Sequence, residues 1–313
     1  MPKAEKKYKT LHLVDAELRP VLQVFSGFEV NNGTLEELRD RPSSAPLSAP
    51  SYKNYYIQRP QNAGNLRLLV IKPKTSRKKK PALLYMHGGG FVFGSPESIL
   101  PTVQALAAET GRIIILPQYR LAPEFPYPAA LDDNLLALKW MHDNSKMLNL
   151  DIADIALGGD SAGGGHAVIL TAAIREMNKY FVSKLLLIYP MLDDRTGALG
   201  GSENITGEFV WTAENNRFGW ECYLGSANHD SDILADCVPA RLKTLRGFPP
   251  VFLATGSLDL FMEENIRFIE RLQSADVEAD IFVAQGAYHG FNVVVPDAKV
   301  SREFHAACVK ALN

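Results

Sequence analysis

The sequence predicts an α/β protein: a mostly parallel central sheet flanked by helices on both faces, with a small helical cap. Three observations predict it. From about residue 66 to the end, short apolar runs alternate with longer amphipathic stretches, the pattern of strands buried on both faces and joined by helices. A glycine-bracketed serine stands where one apolar run gives way to a helical stretch. The composition, 46% hydrophobic and 22% charged over 313 residues, supplies a large core and argues against global disorder.

The apolar runs read as strands are residues 66–71, 82–86, 112–117, 155–157, 184–189, 251–254 and 279–283. Helical stretches between them include residues 131–143, 162–178 and 263–274, and residues 298–312 close the chain. Residues 77–80, four like charges before the second run, read as a solvated hairpin loop. Two segments fall outside the alternation, residues 1–50 and 195–235. In the second, Phe209, Trp211, Phe218, Trp220 and Tyr223 form a helical aromatic patch too bulky to leave in water. Packed together over the C-terminal strand ends, the two segments are expected to form the cap, and Phe209 and Trp211 to border a bound substrate.

With 33 basic against 35 acidic side chains, no strong field exists to steer nucleic acid or an anionic membrane. No signal-like apolar run follows the N-terminus and no stretch of roughly 20 apolar residues occurs, so no membrane partner is expected. Cys222, Cys237 and Cys308 are odd in number and widely spaced, matching neither a zinc pattern nor a disulfide framework. Free thiols and a cytoplasmic location are expected.

Gly159-Asp160-Ser161-Ala162-Gly163 follows one apolar run and precedes an apolar helix. The flanking glycines suit a strand that turns sharply into a helix with the serine in a strained conformation at its tip. The helix N-terminus would direct positive partial charge at the reacting centre, with the Ala162 amide as one oxyanion donor. His87-Gly88-Gly89-Gly90 follows another run, and Gly88 and Gly89 are the expected companion donors. His87 reads as structural. A phosphate-binding reading of this glycine run lacks the lysine and Ser/Thr of a P-loop. A serine hydroxyl needs a base and a carboxylate to orient it, in the chain order Ser, Asp, His. Asp259 lies just past residues 251–254, and His289 is the histidine standing past a strand in the required order.

These motifs resemble the hormone-sensitive-lipase-like family of esterases, the bacterial and fungal group that carries HGGG and GDSAGG. The residues that carry the resemblance are HGGGFVFGSPE (87–97), QYRLAPEFPYPAALDD (118–133), GDSAGG (159–164), the late aspartate and HGF (289–291), spanning nearly all of the catalytic domain assigned to residues 51–313. The resemblance implies an α/β-hydrolase fold, an N-terminal cap, a catalytic triad of Ser161, His289 and Asp259, no metal and no organic cofactor. It implies a serine carboxylesterase whose partner is a small-molecule ester, of small to medium size, cleaved through an acyl-enzyme. A lactonase, thioesterase or amidase could use the same triad. A non-catalytic hydrolase-fold receptor would typically lack the serine or the late histidine. Oligomeric state stays open, a homodimer among the options. Tyr119, Arg120, Glu124 and Asp132 are expected to form a hydrogen-bonded scaffold behind the oxyanion loop, Asp160 to position the nucleophile, and Glu263 to complement a helix dipole. One departure stands out: Leu260-Phe261-Met262-Glu263 replaces the more usual Pro-Leu-x-Asp and bears on the turn that holds Asp259.

Overall fold

The computed structural model describes residues 8–25, 27–40, 52–74, 77–197, 205–226 and 231–313. Within them one eight-stranded sheet is built from β1 Tyr52–Gln58, β2 Asn65–Ile71, β3 Lys80–Met86, β4 Ile113–Pro117, β5 Leu150–Asp160, β6 Lys184–Ile188, β7 Val251–Gly256 and β8 Ala279–Ala284. The spatial order is β1-β2-β4-β3-β5-β6-β7-β8. Strand β2 pairs antiparallel with β1 and β4, and every other pair is parallel. The helices are α1 Leu35–Asp40, α2 Leu100–Thr110, α3 Ala129–Asp143, α4 Ser145–Leu148, α5 Ala162–Met177, α6 Ala213–Leu224, α7 Ser231–Cys237, α8 Met262–Ser274, α9 Phe291–Val294 and α10 Lys299–Leu312.

Strand side chains alternate between two apolar layers. Leu66, Leu68, Val70, Leu84 and Ile115 face α3, α5 and α8, whereas Leu69, Ile71, Leu83, Ile114 and Leu116 face α2 and α10. Burial on both faces is what makes these strands read as unbroken apolar runs. The unexpected strand is β1, whose sequence YKNYYIQ carries no such run because it is an edge strand largely open to solvent. Strand β5 also starts earlier than its apolar centre, and α2 provides the crossover from β3 to β4.

Residues 77–79 are exposed, as expected, and Lys80 opens β3. They do not close a hairpin, because β4 lies between β2 and β3. Apolar periodicity marks strands but not their neighbours, and here a later strand inserts between two consecutive ones.

The two expected cap segments are described except for residues 1–7, 26, 41–50, 198–204 and 227–230, which lie outside the described residues. The first segment touches the second at both of its described stretches. Residues 8–25 wrap the loop after β8, with the Asp15 amide donating to Gly286 O at 3.0 Å and the Tyr288 hydroxyl to Leu18 O at 3.2 Å, and the Lys9 and Thr10 amides donate to the Glu208 carboxylate at 2.6 and 2.8 Å. Residues 27–40 meet the second segment: the Val30 amide donates to Asn215 Oδ1 at 2.9 Å. Val30, Leu35 and Leu38 share an apolar cluster with Phe91, Val92, Ala162, Trp211, Trp220, Tyr223 and Phe261.

Candidate active site

Because β3, β5, β7 and β8 run parallel, the loops that leave them open at one edge of the sheet. Ser161 sits between β5 and α5 at φ +53°, ψ −121°. A Cβ on Gly163 would lie 2.0 Å from Met86 O, and one on Gly159 2.4 Å from the Gly163 backbone, so the turn closes only with glycine at both places. The strained serine, a conformation costing on the order of 1–3 kcal/mol, is held from the next strand. Its amide donates to Ile188 O at 2.9 Å, and its carbonyl accepts from the Met191 amide at 3.0 Å.

His289 bridges two side chains remote in sequence. Its Nε2 lies 2.9 Å from Ser161 Oγ and its Nδ1 2.8 Å from Asp259 Oδ2. All three groups are buried, Asp259 completely. The other carboxylate oxygen, Oδ1, accepts the Phe261 amide at 2.9 Å, and the Met262 amide donates to Asp259 O at 3.1 Å. The Leu260 to Glu263 departure therefore still folds into a closed turn that orients the carboxylate through a backbone N–H. Around the imidazole stand Tyr189 and Phe261, edge-on with ring centroids at 4.6 and 5.1 Å, and Trp211 at 6.2 Å. The Tyr189 hydroxyl is fixed by donation to Asn292 Oδ1 at 2.8 Å.

The glycine run differs from expectation at one position. The Gly88 amide donates to Asp160 Oδ2 at 3.0 Å, so its hydrogen is committed and Gly88 does not serve as a free donor. A Cβ on Gly88 would lie 2.4 Å from that same oxygen and 3.3 Å from Ser161 Cβ. Among the described residues the amides of Gly89, Gly90 and Ala162 have no acceptor. Gly89 and Gly90 adopt φ of +124° and +56°, and Gly90 lies so close under the Trp211 indole that a Cβ would come within 2.2 Å of Cη2. Burial pushes the Asp160 carboxyl up to about 6, against the opposing pull of the Tyr85 hydroxyl, the His289 charge and the Gly88 amide. Asp160 thus positions the glycine loop.

His87 is structural. Its Nδ1–H donates to Gly88 O at 2.7 Å, its ring stacks on Tyr119 at 4.3 Å, and the Tyr119 hydroxyl donates to His87 O at 2.6 Å. Burial pulls its pKa down to about 4, so the ring is neutral at neutral pH. Of the expected scaffold, Arg120 pairs with Asp133, the neighbour of Asp132: Asp133 is 1% exposed and accepts from Arg120 Nε at 3.1 Å and Arg59 Nε at 2.7 Å. Glu124 instead takes the guanidinium of Arg39, whose hydrogen bonds hold it down at about 2. Glu263 is exposed and pairs with Arg267, while its neighbour Glu264 is buried, accepts the Leu192 amide at 2.6 Å and bonds Thr196. Phe209 is not at the site. It packs behind the His289 loop on Tyr8 and Tyr288 at 5.0 and 6.0 Å. Trp211, two residues on, borders it. Sequence reasoning missed Gly90, Tyr189, Phe261 and Arg39. The third glycine of HGGG signalled the first, whereas Tyr189 and Arg39 reach the site only through tertiary packing.

A family model described as the α/β-hydrolase fold matches residues 83–293. Esterase LipI of Mycobacterium tuberculosis is 32% identical over 235 residues, covering 73% of this chain and 72% of its own. Carboxylesterase NlhH of the same species is 27% identical over 295 residues, covering 91% and 92%. Among solved structures, a bacterial heroin esterase superposes with a TM-score of 0.84 at 28% identity, covering 97% of this chain and 98% of its own.

Proposed function

The chain belongs to the α/β-hydrolase fold family, in its hormone-sensitive-lipase-like branch, and from that premise we propose that it is a serine carboxylesterase cleaving small to medium esters through an acyl-enzyme. The observation that carries this reading is the continuous relay of Asp259, His289 and Ser161 at 2.8 and 2.9 Å. Ser161 Oγ attacks the ester carbonyl while His289 Nε2 takes its proton, and Asp259 holds the Nδ1–H and stabilises the imidazolium. The amides of Gly89, Gly90 and Ala162, with the N-terminus of α5 behind the last, receive the oxyanion. His289 then protonates the leaving alkoxide, and water repeats the attack on the acylated serine.

Residues 27–40 and 205–226 act as the cap, a role supported by the apolar cluster that joins them above the glycine loop. Trp211, Phe261 and Tyr189 crowd His289 and favour compact acyl or alcohol groups over long chains. Three free cysteines, Cys222, Cys237 and Cys308, suit the cytoplasm.

The reading is tested with matched ester, thioester, lactone and anilide substrates. Esters are expected to give the highest kcat/KM, and a faster anilide would make the protein an amidase instead. Ser161→Ala should lower ester turnover by about 10⁴ to 10⁶ and abolish labelling by a fluorophosphonate. Turnover within tenfold of wild type would remove Ser161 from the mechanism.

A further inference from the structure

We propose that Arg39, in the N-terminal segment, is a positioning residue of the oxyanion loop, so that this segment is a working part of the hole. The proposal rests on the serine-esterase reading. Gly89, Gly90 and Phe91 form three consecutive residues at positive φ, +124°, +56° and +69°. The third is not a glycine and bears strain there. Such a stretch needs holding from outside. One tether is the Ala122 amide, which donates to Phe91 O at 3.0 Å. A second, beside the Asp160 bond to Gly88, is Arg39: Nε donates to Val92 O at 2.8 Å, within the same loop, and Nη2 to Ala122 O at 2.8 Å. One guanidinium therefore ties the loop to the backbone that tethers it.

The aim of the guanidinium is set in turn by Glu124, which accepts from Nη1 and Nη2 at 2.8 Å each. A planar fork with donors at fixed angles satisfies two carbonyls and a carboxylate in one placement, which a lysine ammonium cannot copy. As a partly exposed ion pair, Arg39–Glu124 contributes little to global stability. Its directed bonds to Val92 and Ala122 are the part that bears on the loop. The same helix adds Leu35 and Leu38 to the cluster containing Phe91, Val92 and Ala162, the last being an oxyanion amide. When α1 is seated, the amides of Gly89 and Gly90 are held in aim; when it leaves, Val92 O loses its partner and the positive-φ stretch is free to relax.

The test compares wild type with Arg39→Ala and Arg39→Lys on a short p-nitrophenyl ester. Each protein is also titrated with a trifluoromethyl ketone, whose adduct with Ser161 carries an oxyanion that the loop amides must meet. For Arg39→Ala, kcat/KM and ketone affinity should fall by the same factor, about tenfold or more and short of the 10²–10³ lost with a whole donor. KM should stay within about twofold. Arg39→Lys should be intermediate, and millimolar guanidinium should partly restore Arg39→Ala. A rate loss without a matching loss of ketone affinity, or no rate loss, overturns the role. Should Arg39→Ala not fold, Glu124→Gln supplies the same comparison with a smaller expected parallel loss. If wild type itself forms no ketone adduct, it is the esterase reading that fails.

Discussion

Asp259→Asn leaves the shape of the triad almost unchanged and should nevertheless disable it. Oδ1 of Asp259 accepts the Phe261 amide at 2.9 Å and Oδ2 faces His289 Nδ1 at 2.8 Å. Phe261 can only donate, so the oxygen of an asparagine must take the Oδ1 place and its NH₂ must point at the imidazole. Nδ1 then becomes an acceptor and the ring proton moves to Nε2. There it donates to Ser161 Oγ instead of accepting from it. Turning the amide round would set two N–H donors against each other at a fully buried position, costing about 1–3 kcal/mol. Neutralising the orienting carboxylate of a serine triad lowers kcat by about 10⁴, or roughly 5 kcal/mol of barrier, and that is the loss expected. Both hydrogen bonds keep a partner, so thermal stability should change little. Turnover of p-nitrophenyl butyrate and circular-dichroism melts measure the two quantities. A loss below about tenfold in a normally folded variant would show that Asp259 does not set the tautomer of His289.

Asp160→Asn keeps an acceptor for the Gly88 amide while removing a buried charge. The wild-type carboxyl, moved by burial from 3.8 to about 6, contributes stability that is present below 3.8 and is lost as pH rises through about 6. The stability of the variant relative to wild type should therefore grow by about 2 kcal/mol between pH 4 and 7; denaturant melts showing a flat difference would refute this. His87 and His166, pulled down by burial to about 4 and about 3, act in both proteins and cancel in the comparison. Gly90→Ala combines a φ of +56° with a 2.2 Å approach to Trp211, so it should cost roughly 2 to 4 kcal/mol of stability and at least tenfold in kcat. Wild-type kinetics in that variant would separate Gly90 from the hole. Across a p-nitrophenyl series, kcat/KM should rise about fourfold per buried methylene, the equivalent of about 0.8 kcal/mol, and fall beyond about eight carbons. A monotonic rise through palmitate would point to a lipase.

The nucleophile turn was legible because its constraints are local: Gly159, Ser161 and Gly163 lie within five residues, and the missing Cβ atoms answer to backbone in the same turn and in the adjacent loop. The order Ser161, Asp259, His289 was legible because each follows an apolar run: β5 and β7 are buried strands, and the edge strand β8 still keeps the run Ile281-Phe282-Val283-Ala284. Edge strand β1 was not, since its exposed positions are filled by Lys53, Asn54, Tyr56 and Gln58 and leave no apolar run. Other choices were made between near neighbours. Asp132 and Asp133 differ by one step of about 100° around α3, and only packing decides that Asp133 faces Arg59 and Arg120. Phe209 and Trp211 are two residues apart, yet one joins Tyr288 and the other covers Gly90. Which glycine amide remains free depends on a carboxylate 72 residues away, and what steadies that loop includes an arginine 53 residues before it. The sequence by itself determined the chemistry, because a triad and a glycine turn are written in residue types and short spacings. Only the tertiary structure decided which donors are free and which side chains hold them, because those outcomes depend on distances between segments far apart in the chain.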